Sequence, residues 1–361
     1  MNENKFLLMG FGNPIIDIII DENTESLVDK YHLKIDTQNH LPVKTYDELR
    51  QEILSGAYNK IYVPGGCVQN TIRIFQWLEE EKFRTILYGS IGSDERGSYL
   101  TEQLQKEGVI TKFDRVTDRA ATTEDAILLI HKQYRTIAYT SESQAACFKF
   151  SDAPCHYLET ALLSVSDSKI LLTDGYFTLH CVPYIYRLLE QCQKHDILVA
   201  FSAGGESIIK ANNIRETYLP FVQRSHIVSC NLQEFKAICE RVQIHTENMK
   251  SALESFCQLS NDIVKTASCK YTRIIVVTDG ENPLHCYTSE EGYVVFPILA
   301  LAVNQIVDTT GAGDAFMAGF LYGISHNKSI DQSLQIGYKT AVEIIQQTGC
   351  RIPTSPPNFI N

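Results

Sequence analysis

The stretch Asp308-Thr309-Thr310-Gly311-Ala312-Gly313-Asp314-Ala315-Phe316 is followed by small residues at Ala318, Gly319 and Gly323. Two glycines and an alanine just ahead of a helical pattern leave backbone N–H groups bare at a helix start. Those donors and the positive end of the helix dipole form an anion site. Moving a phosphoryl group requires such a site, because negative charge spreads over the transferred oxygens. Asp314 stands at the same corner, where a carboxylate can take a proton from an attacking hydroxyl. The alternative is plainer: Asp314 caps the helix and the glycines make a tight turn.

Working outward, short apolar runs read as strands buried on both faces: Phe6–Phe11, Thr85–Ile91, Lys169–Thr173, Ile197–Phe201, His226–Ser229 and Arg273–Thr278. Between them lie segments with helical spacing, among them Asn70–Glu80, Ser98–Glu107, Cys181–Lys194, Leu232–Val242 and Ala315–Ile324. This alternation predicts an α/β fold with a central, mainly parallel sheet flanked by helices. Residues 15–63 and 115–150 break the rhythm with β-branched, alternating stretches such as Ile18-Ile19-Ile20. They are read as a small added β-sheet, a lid over the crevice at the carboxyl ends of the parallel strands. The remainder forms the large domain, and the whole of 1–361 is read as one unit.

Composition removes several classes. A formal net charge of −11 disfavours a nucleic-acid partner, since that affinity comes largely from Lys and Arg. The 44% hydrophobic content with 21% charged residues is that of a folded soluble protein. No apolar run is long enough for a membrane span, and the first residues do not read as a signal peptide. Eleven cysteines without a Cys-x-x-Cys pair read as reduced, mostly buried thiols, so a cytoplasmic location is expected. Cys192 with His195 has metal-like spacing but no second ligand pair.

Gly10-x-Gly12 has Ile15 where a dinucleotide fingerprint needs its third glycine. There is no Gly-x-x-x-x-Gly-Lys-Ser/Thr, and no His-Arg-Asp or Asp-Phe-Gly of the protein kinases.

Asp308–Phe316 resembles the C-terminal signature of the ribokinase-like (PfkB) carbohydrate and nucleoside kinases. Matches continue at Gly10-Phe11-Gly12-Asn13-Pro14-Ile15-Ile16-Asp17 and Gly65-Gly66-Cys67-Val68-Gln69-Asn70, then Gln76-Trp77. Others are Ile91-Gly92-Ser93-Asp94 with Gly97, Asn231-Leu232-Gln233-Glu234 and Thr348-Gly349-Cys350. Their order is more specific than any one of them, and the resemblance spans nearly the whole chain. It is closest to the adenosine-phosphorylating branch. It implies ATP and Mg2+ as cofactors, adenosine or another nucleoside as small-molecule partner, and a monomer.

The resemblance also implies roles. Asp314 would be the base, and Gly311, Ala312 and Gly313 the anion hole. Asn13, Asp17, Gly65, Gly66 and Asn70 would hold a ribose, and Tyr176 would stand against the base. Arg135, Asn231, Glu234, Thr278, Gly280 and Asp308 fall on the ATP and Mg2+ side, the metal held by phosphates and, through water, by Glu234. Plainer alternatives stay open: a turn Asn with a solvent-facing Asp17, an ordinary helix start at Asn70, a capping pair at Asn231 and Glu234, and a surface Arg135.

Departures from the branch cluster on the acceptor side: Thr122-Thr123-Glu124-Asp125-Ala126, Thr140-Ser141-Glu142-Ser143-Gln144, and Ala200-Phe201-Ser202-Ala203-Gly204-Gly205. Asp279 and Thr310 also depart. Buried acids such as Glu124 and Asp125 are costly unless paired or solvated. A kinase of the same family with another nucleoside or a sugar as acceptor, and a catalytically weak binding relic, therefore remain alternatives.

Overall fold

The computed structural model describes residues 5–35, 37–116, 123–131, 134–140, 165–178, 182–210, 214–259, 272–355 and 357–360. The strands are β1 (Phe6–Phe11), β2 (Ile15–Ile20), β3 (Gln38–His40), β4 (Ile61–Gly65), β5 (Thr85–Gly92), β6 (Ile110–Val116), β7 (Glu124–His131) and β8 (Tyr134–Tyr139). They continue as β9 (Ser168–Asp174), β10 (Leu198–Ser202), β11 (Ile227–Asn231), β12 (Ile274–Asp279), β13 (Asn282–Thr288) and β14 (Gly292–Phe296).

Nine strands form one sheet in the order β14-β13-β12-β11-β10-β9-β1-β5-β6. It is parallel from β12 to β6, with β13 and β14 added antiparallel at one edge. The apolar runs are continuous because both faces of the sheet are covered. Ile274 and Val276 of β12 enter the core on one face, and Ile275 and Val277 the core on the other. That is the two-residue period of a strand divided between two helix layers.

The helix Ala312–Ser325 is buried along nearly its whole length and packs on Cys67–Leu78 and on Ile330–Ile344. A Cβ at Gly319 would stand 2.4 Å from Thr340 Oγ1, and one at Gly323 would stand 2.5 Å from Ser333 Oγ. The small residues that follow the glycine motif thus let two helices approach closely.

The second sheet has five strands in the order β3-β8-β7-β2-β4. Ile16, Ile18 and Ile20 of β2 face a core shared with Leu49 and Ile53, whereas Ile19 packs with Ala126 and Leu128 on the opposite face. Residues 15–63 also hold two helices, Thr24–Lys30 and Val43–Ser55, which the reading of that region as strands passed over. Tyr46, Leu49 and Ile53 carry a helical period that marked the second of them. Arg115 and Val116 lie on β6, in the large sheet.

The acids of Thr123-Glu124-Asp125 meet different fates. Asp125 is buried and held by Arg50 at 2.8 Å, by the Tyr46 hydroxyl at 2.7 Å and by Arg96. Replacing it with Asn leaves Arg50 without its counter-charge and Arg96 with Asp94 alone, at 3.5 Å. The expected cost is about 2 kcal/mol, reduced from a fully buried pair because both arginines are partly solvated. Urea unfolding of Asp125→Asn against the parent checks this, and an unchanged midpoint would contradict it. Thr122 and residues 141–144 lie outside the described residues.

Candidate active site

The parallel strands deliver their last residues to one crevice. Asp174 ends β9, Ser202 ends β10, Asn231 ends β11, and Thr278 is the register partner of Asn231 on β12. Together with the facing strands of the small sheet they line a cavity of about 720 Å3. Of the residues singled out from sequence, this cavity gathers Asn13, Asp17, Gly66, Asn70, Arg135, Tyr176, Asn231, Glu234, Thr278, Gly311, Ala312, Gly313 and Asp314. Gly65, Gly280 and Asp308 do not line it.

Each of those three has a visible place. A Cβ at Gly65 would stand 2.4 Å from the Asp17 carboxyl, so this glycine lets Asp17 lie flat against the chain. Gly280 adopts a left-handed φ of 59° in the turn joining β12 to β13. The Asp308 carboxylate is engaged inside the protein through both oxygens. It accepts from Thr310 N–H at 2.8 Å, Thr310 Oγ1 at 2.7 Å and Gly349 N–H at 2.8 Å. It therefore braces the loop that leads into the glycine motif.

That loop ends at Gly311, whose φ of 78° suits glycine and whose Cβ, were there one, would stand 2.5 Å from Cys350 Sγ. Gly311 provides no side-chain cap to the helix Ala312–Ser325, so no side chain at that position occupies its first N–H groups. Ala312 N–H leans toward Thr309 C=O at 3.2 Å, a long bond within the turn. Nothing lies within 4 Å of a Cβ built at Gly313, where the backbone borders open space.

Asp314 lies in the first turn of that helix. Asn70 Nδ2 donates to its Oδ2 at 2.9 Å, and the Cys67 thiol donates to it as well. Burial raises the Asp314 carboxyl to about 6, against the pull of these donors and of Arg135. Arg73, one turn beyond Asn70 on the helix Cys67–Leu78, braces it: Nη1 bonds the Asn70 side chain at 3.4 Å and the carbonyls of Pro64 and Cys350 at 2.9 and 3.1 Å. Glu107 pairs with it at 2.6 Å.

Asn231 and Glu234 form the reciprocal helix cap that sequence left open, each bond 2.8 Å, while both also line the cavity. The cap and the cavity lining thus coincide at this helix start. Asp94 and Gly97 serve structure: the Asp94 carboxylate accepts from Gly97 N–H and Thr123 N–H, both at 2.8 Å. This bolts the start of β7 to a helix of the large domain.

Sequence reasoning missed Asp174, which closes a buried strand, accepts from Phe177 N–H at 2.8 Å and lines the cavity. Its signal was an acid followed by glycine at a strand end. Gln38 and His40 were missed too; β3 is only three residues long and has no legible pattern. Tyr176 donates to Gln38 Oε1 at 2.9 Å. A Cβ at Gly205 would stand 2.7 Å from the Tyr176 hydroxyl, so Gly204-Gly205 makes room for the tyrosine.

Burial raises several carboxyls of the cavity: Asp17, Asp174 and Glu234 to about 7, and Glu124 to about 8. These folded values exceed the ordinary carboxylate range near about 4. The stability contributed by the protonated forms is fully present below that range and is lost as pH rises through 6 to 8. The thermal midpoint of the ligand-free protein is expected to fall between pH 6 and 8.5. A midpoint that is flat or rises over that span would contradict it.

A carboxyl of intermediate acidity beside a bare helix N-terminus, in a crevice that two sheets enclose, suits phosphoryl transfer to a small alcohol. By geometry this is a small-molecule kinase site. Comparison with known families is more specific: the model described as pfkB family carbohydrate kinase matches residues 42–357, and the chain belongs to that family. Among curated relatives, adenosine kinase 1 of Arabidopsis thaliana is 26% identical over 360 residues, covering 97% of both chains. Adenosine kinase of Dictyostelium discoideum is 27% identical over 355 residues, 96% of this chain and 97% of that one.

Solved structures share the fold. Adenosine kinase from Schistosoma mansoni in complex with adenosine aligns with a TM-score of 0.83 at 23% identity, covering 98% of each chain. Adenosine kinase of Anopheles gambiae in complex with P1,P4-di(adenosine-5) tetraphosphate aligns with a TM-score of 0.80 at 23% identity, covering 97% of this chain and 98% of that one. Among the described residues no helix is long and apolar enough to cross a membrane.

Proposed function

We propose that the chain transfers the γ-phosphoryl group of ATP to the 5′-hydroxyl of adenosine, giving ADP and AMP. The observation that carries this is the 2.9 Å bond from Asn70 to Asp314. It joins the acceptor-side helix to a candidate base at the mouth of the anion site. The full-length relatives that are adenosine kinases support the same acceptor.

In this reading Asp17 and Asn70 hold the ribose hydroxyls, and Asn13 Oδ1, a buried acceptor without a partner, takes a further hydrogen bond. The small sheet closes and excludes water. Asp314 takes the 5′-hydroxyl proton as the oxygen attacks in line. The N–H groups of Gly311 and Gly313, with Ala312 turned from Thr309, receive the developing negative charge, and Arg135 reaches the phosphates from β8.

No group of three or more metal-ligating side chains occurs among the described residues. Asn231 and Glu234 line the cavity at a helix start and offer oxygen donors that suit Mg2+ held mainly by phosphate oxygens and waters. When bound, that ion neutralises phosphate charge.

Asp17→Ala is expected to raise the KM for adenosine about 10- to 100-fold while leaving kcat nearly intact. Initial rates at saturating ATP check it, and an unchanged KM would remove Asp17 from the acceptor site. The proposal as a whole is tested by following ATP consumption with Mg2+ against adenosine, inosine, guanosine, cytidine, ribose and fructose, with Asp314→Asn as control. Turnover of adenosine that the variant loses supports the reading. Turnover of a sugar alone, or of none, overturns the nucleoside assignment.

A further inference from the structure

Glu124 differs from the cavity's other acids outside the ribose position at Asp17. Asp125 beside it is paired three times over, Asp174 accepts backbone N–H groups, Asp314 accepts from Asn70 and Cys67, and Glu234 closes a helix cap. Glu124 lines the cavity, yet its buried Oε2 has no hydrogen-bond partner. A buried polar oxygen left without a partner is costly unless a ligand supplies one.

Its position says which part of a ligand that is. The cavity face of the small sheet runs in rows. Asp17, Ala126 and the register position of Tyr139 form the middle of it, and Arg135 lies opposite Ile130 toward the far end of β7. Glu124 begins β7 beside Ile15, on the other side of the Asp17 row from Arg135. About six residues of extended chain, roughly 20 Å, separate it from Ile130. Glu124 also interacts electrostatically with Asp174, which precedes Tyr176 by two residues. With the ribose at Asp17 and phosphates at Arg135, the acceptor's remaining part, its base, falls toward Glu124 and the Tyr176 ring.

Resting on the nucleoside reading above, we propose that Glu124 is a specificity-determining residue. Its undissociated carboxyl both donates to and accepts from the hydrogen-bonding edge of the acceptor's base. A carboxylic acid matches a ring nitrogen beside an exocyclic amine, as in adenine. By exchanging its two roles it also matches an N–H beside a carbonyl, as in hypoxanthine. Burial keeps the proton in place, raising the group to about 8, helped by Asp125 and Asp174. Other charged or titratable groups on the surrounding elements are Asp17 of β2, Arg135 and Tyr139 of β8 and His40 of β3. Tyr176 and Cys67 line the same cavity from the large domain. Burial raises Asp17 and the neighbouring Asp174 as well, so the Glu124→Gln comparison is what assigns the pH dependence to Glu124.

The test uses KM and kcat of the full chain for adenosine, inosine, purine riboside and 2′-deoxyadenosine. Purine riboside keeps the ring nitrogen but lacks the exocyclic group. For the parent enzyme its KM is expected to exceed that of adenosine about tenfold or more, and inosine to be accepted within about tenfold of adenosine. Glu124→Leu is expected to raise the adenosine KM about tenfold and to abolish the preference over purine riboside. Glu124→Gln, which keeps one donor and one acceptor, is expected to retain that preference. The parent's adenosine KM is expected to rise above pH 8, and that of Glu124→Gln to stay level there.

A Glu124→Leu enzyme that folds, by thermal melting, and keeps the parent's preference overturns the proposal. So does one whose altered preference is between adenosine and 2′-deoxyadenosine, which would assign Glu124 to the ribose. If the parent turns over adenosine without distinguishing purine riboside, the base contact alone fails. If it turns over no nucleoside, the nucleoside reading fails and the proposal with it.

Discussion

Replacing Asp314 with Asn is expected to lower kcat by about 10²- to 10⁴-fold, the usual contribution of a positioned base, while the dissociation constant for adenosine changes little. The amide keeps the shape and the neighbourhood of Asn70 and Cys67 but has no site for the proton. The pH profile gives an independent check. With the Asp314 carboxyl raised to about 6, kcat/KM of the parent is expected to fall as pH drops below that value, where the base is protonated. The residual rate of Asp314→Asn is expected to lack this limb. Equal turnover by parent and variant would remove Asp314 from the chemistry.

Gly311→Ala is expected to act on stability and rate together. Its φ of 78° costs a residue with a Cβ about 1 kcal/mol or more. The added methyl would also sit 2.5 Å from Cys350 Sγ, a buried sulfur that cannot easily withdraw. The loop must shift, and with it the N–H groups at the helix start. A loss of about 10²- to 10³-fold in kcat follows, the typical cost of displacing one anion-site donor. Cys350→Ala in the same chain makes space for the methyl and is expected to restore part of the melting temperature but little of the rate, because the left-handed strain and the displaced loop persist. Gly313→Ala is the contrast: no atom lies within 4 Å of its added Cβ, so it is expected to melt like the parent. Identical kcat in Gly311→Ala and the parent would refute the role of this turn.

The parallel strands were legible because each is buried on both faces and so reads as an unbroken apolar run; Phe6–Phe11 was read to the residue, and the others to within about two residues at each end. The helices Thr24–Lys30 and Val43–Ser55 were not, since the β-branched run of β2 beside them dominated the pattern. The short β3 owes its existence to pairing with β8 at Gln38, Asn39 and His40. Pairing between distant segments leaves no local periodicity to read.

At the site, the amino-acid sequence by itself determined the anion corner. Glycine at 311 and 313 and an acid at 314 are local requirements of a bare helix start, met within four residues. Tertiary structure alone decided what surrounds it: that Asn70 reaches Asp314 across 244 positions, that Asp308 serves as an internal brace, and that Asp174 belongs in the cavity. It also divided the adjacent acids Glu124 and Asp125, giving one two guanidiniums and leaving the other without a partner. Successive side chains of a strand point to opposite faces, and which of them meets arginine is set by the elements packed on each side.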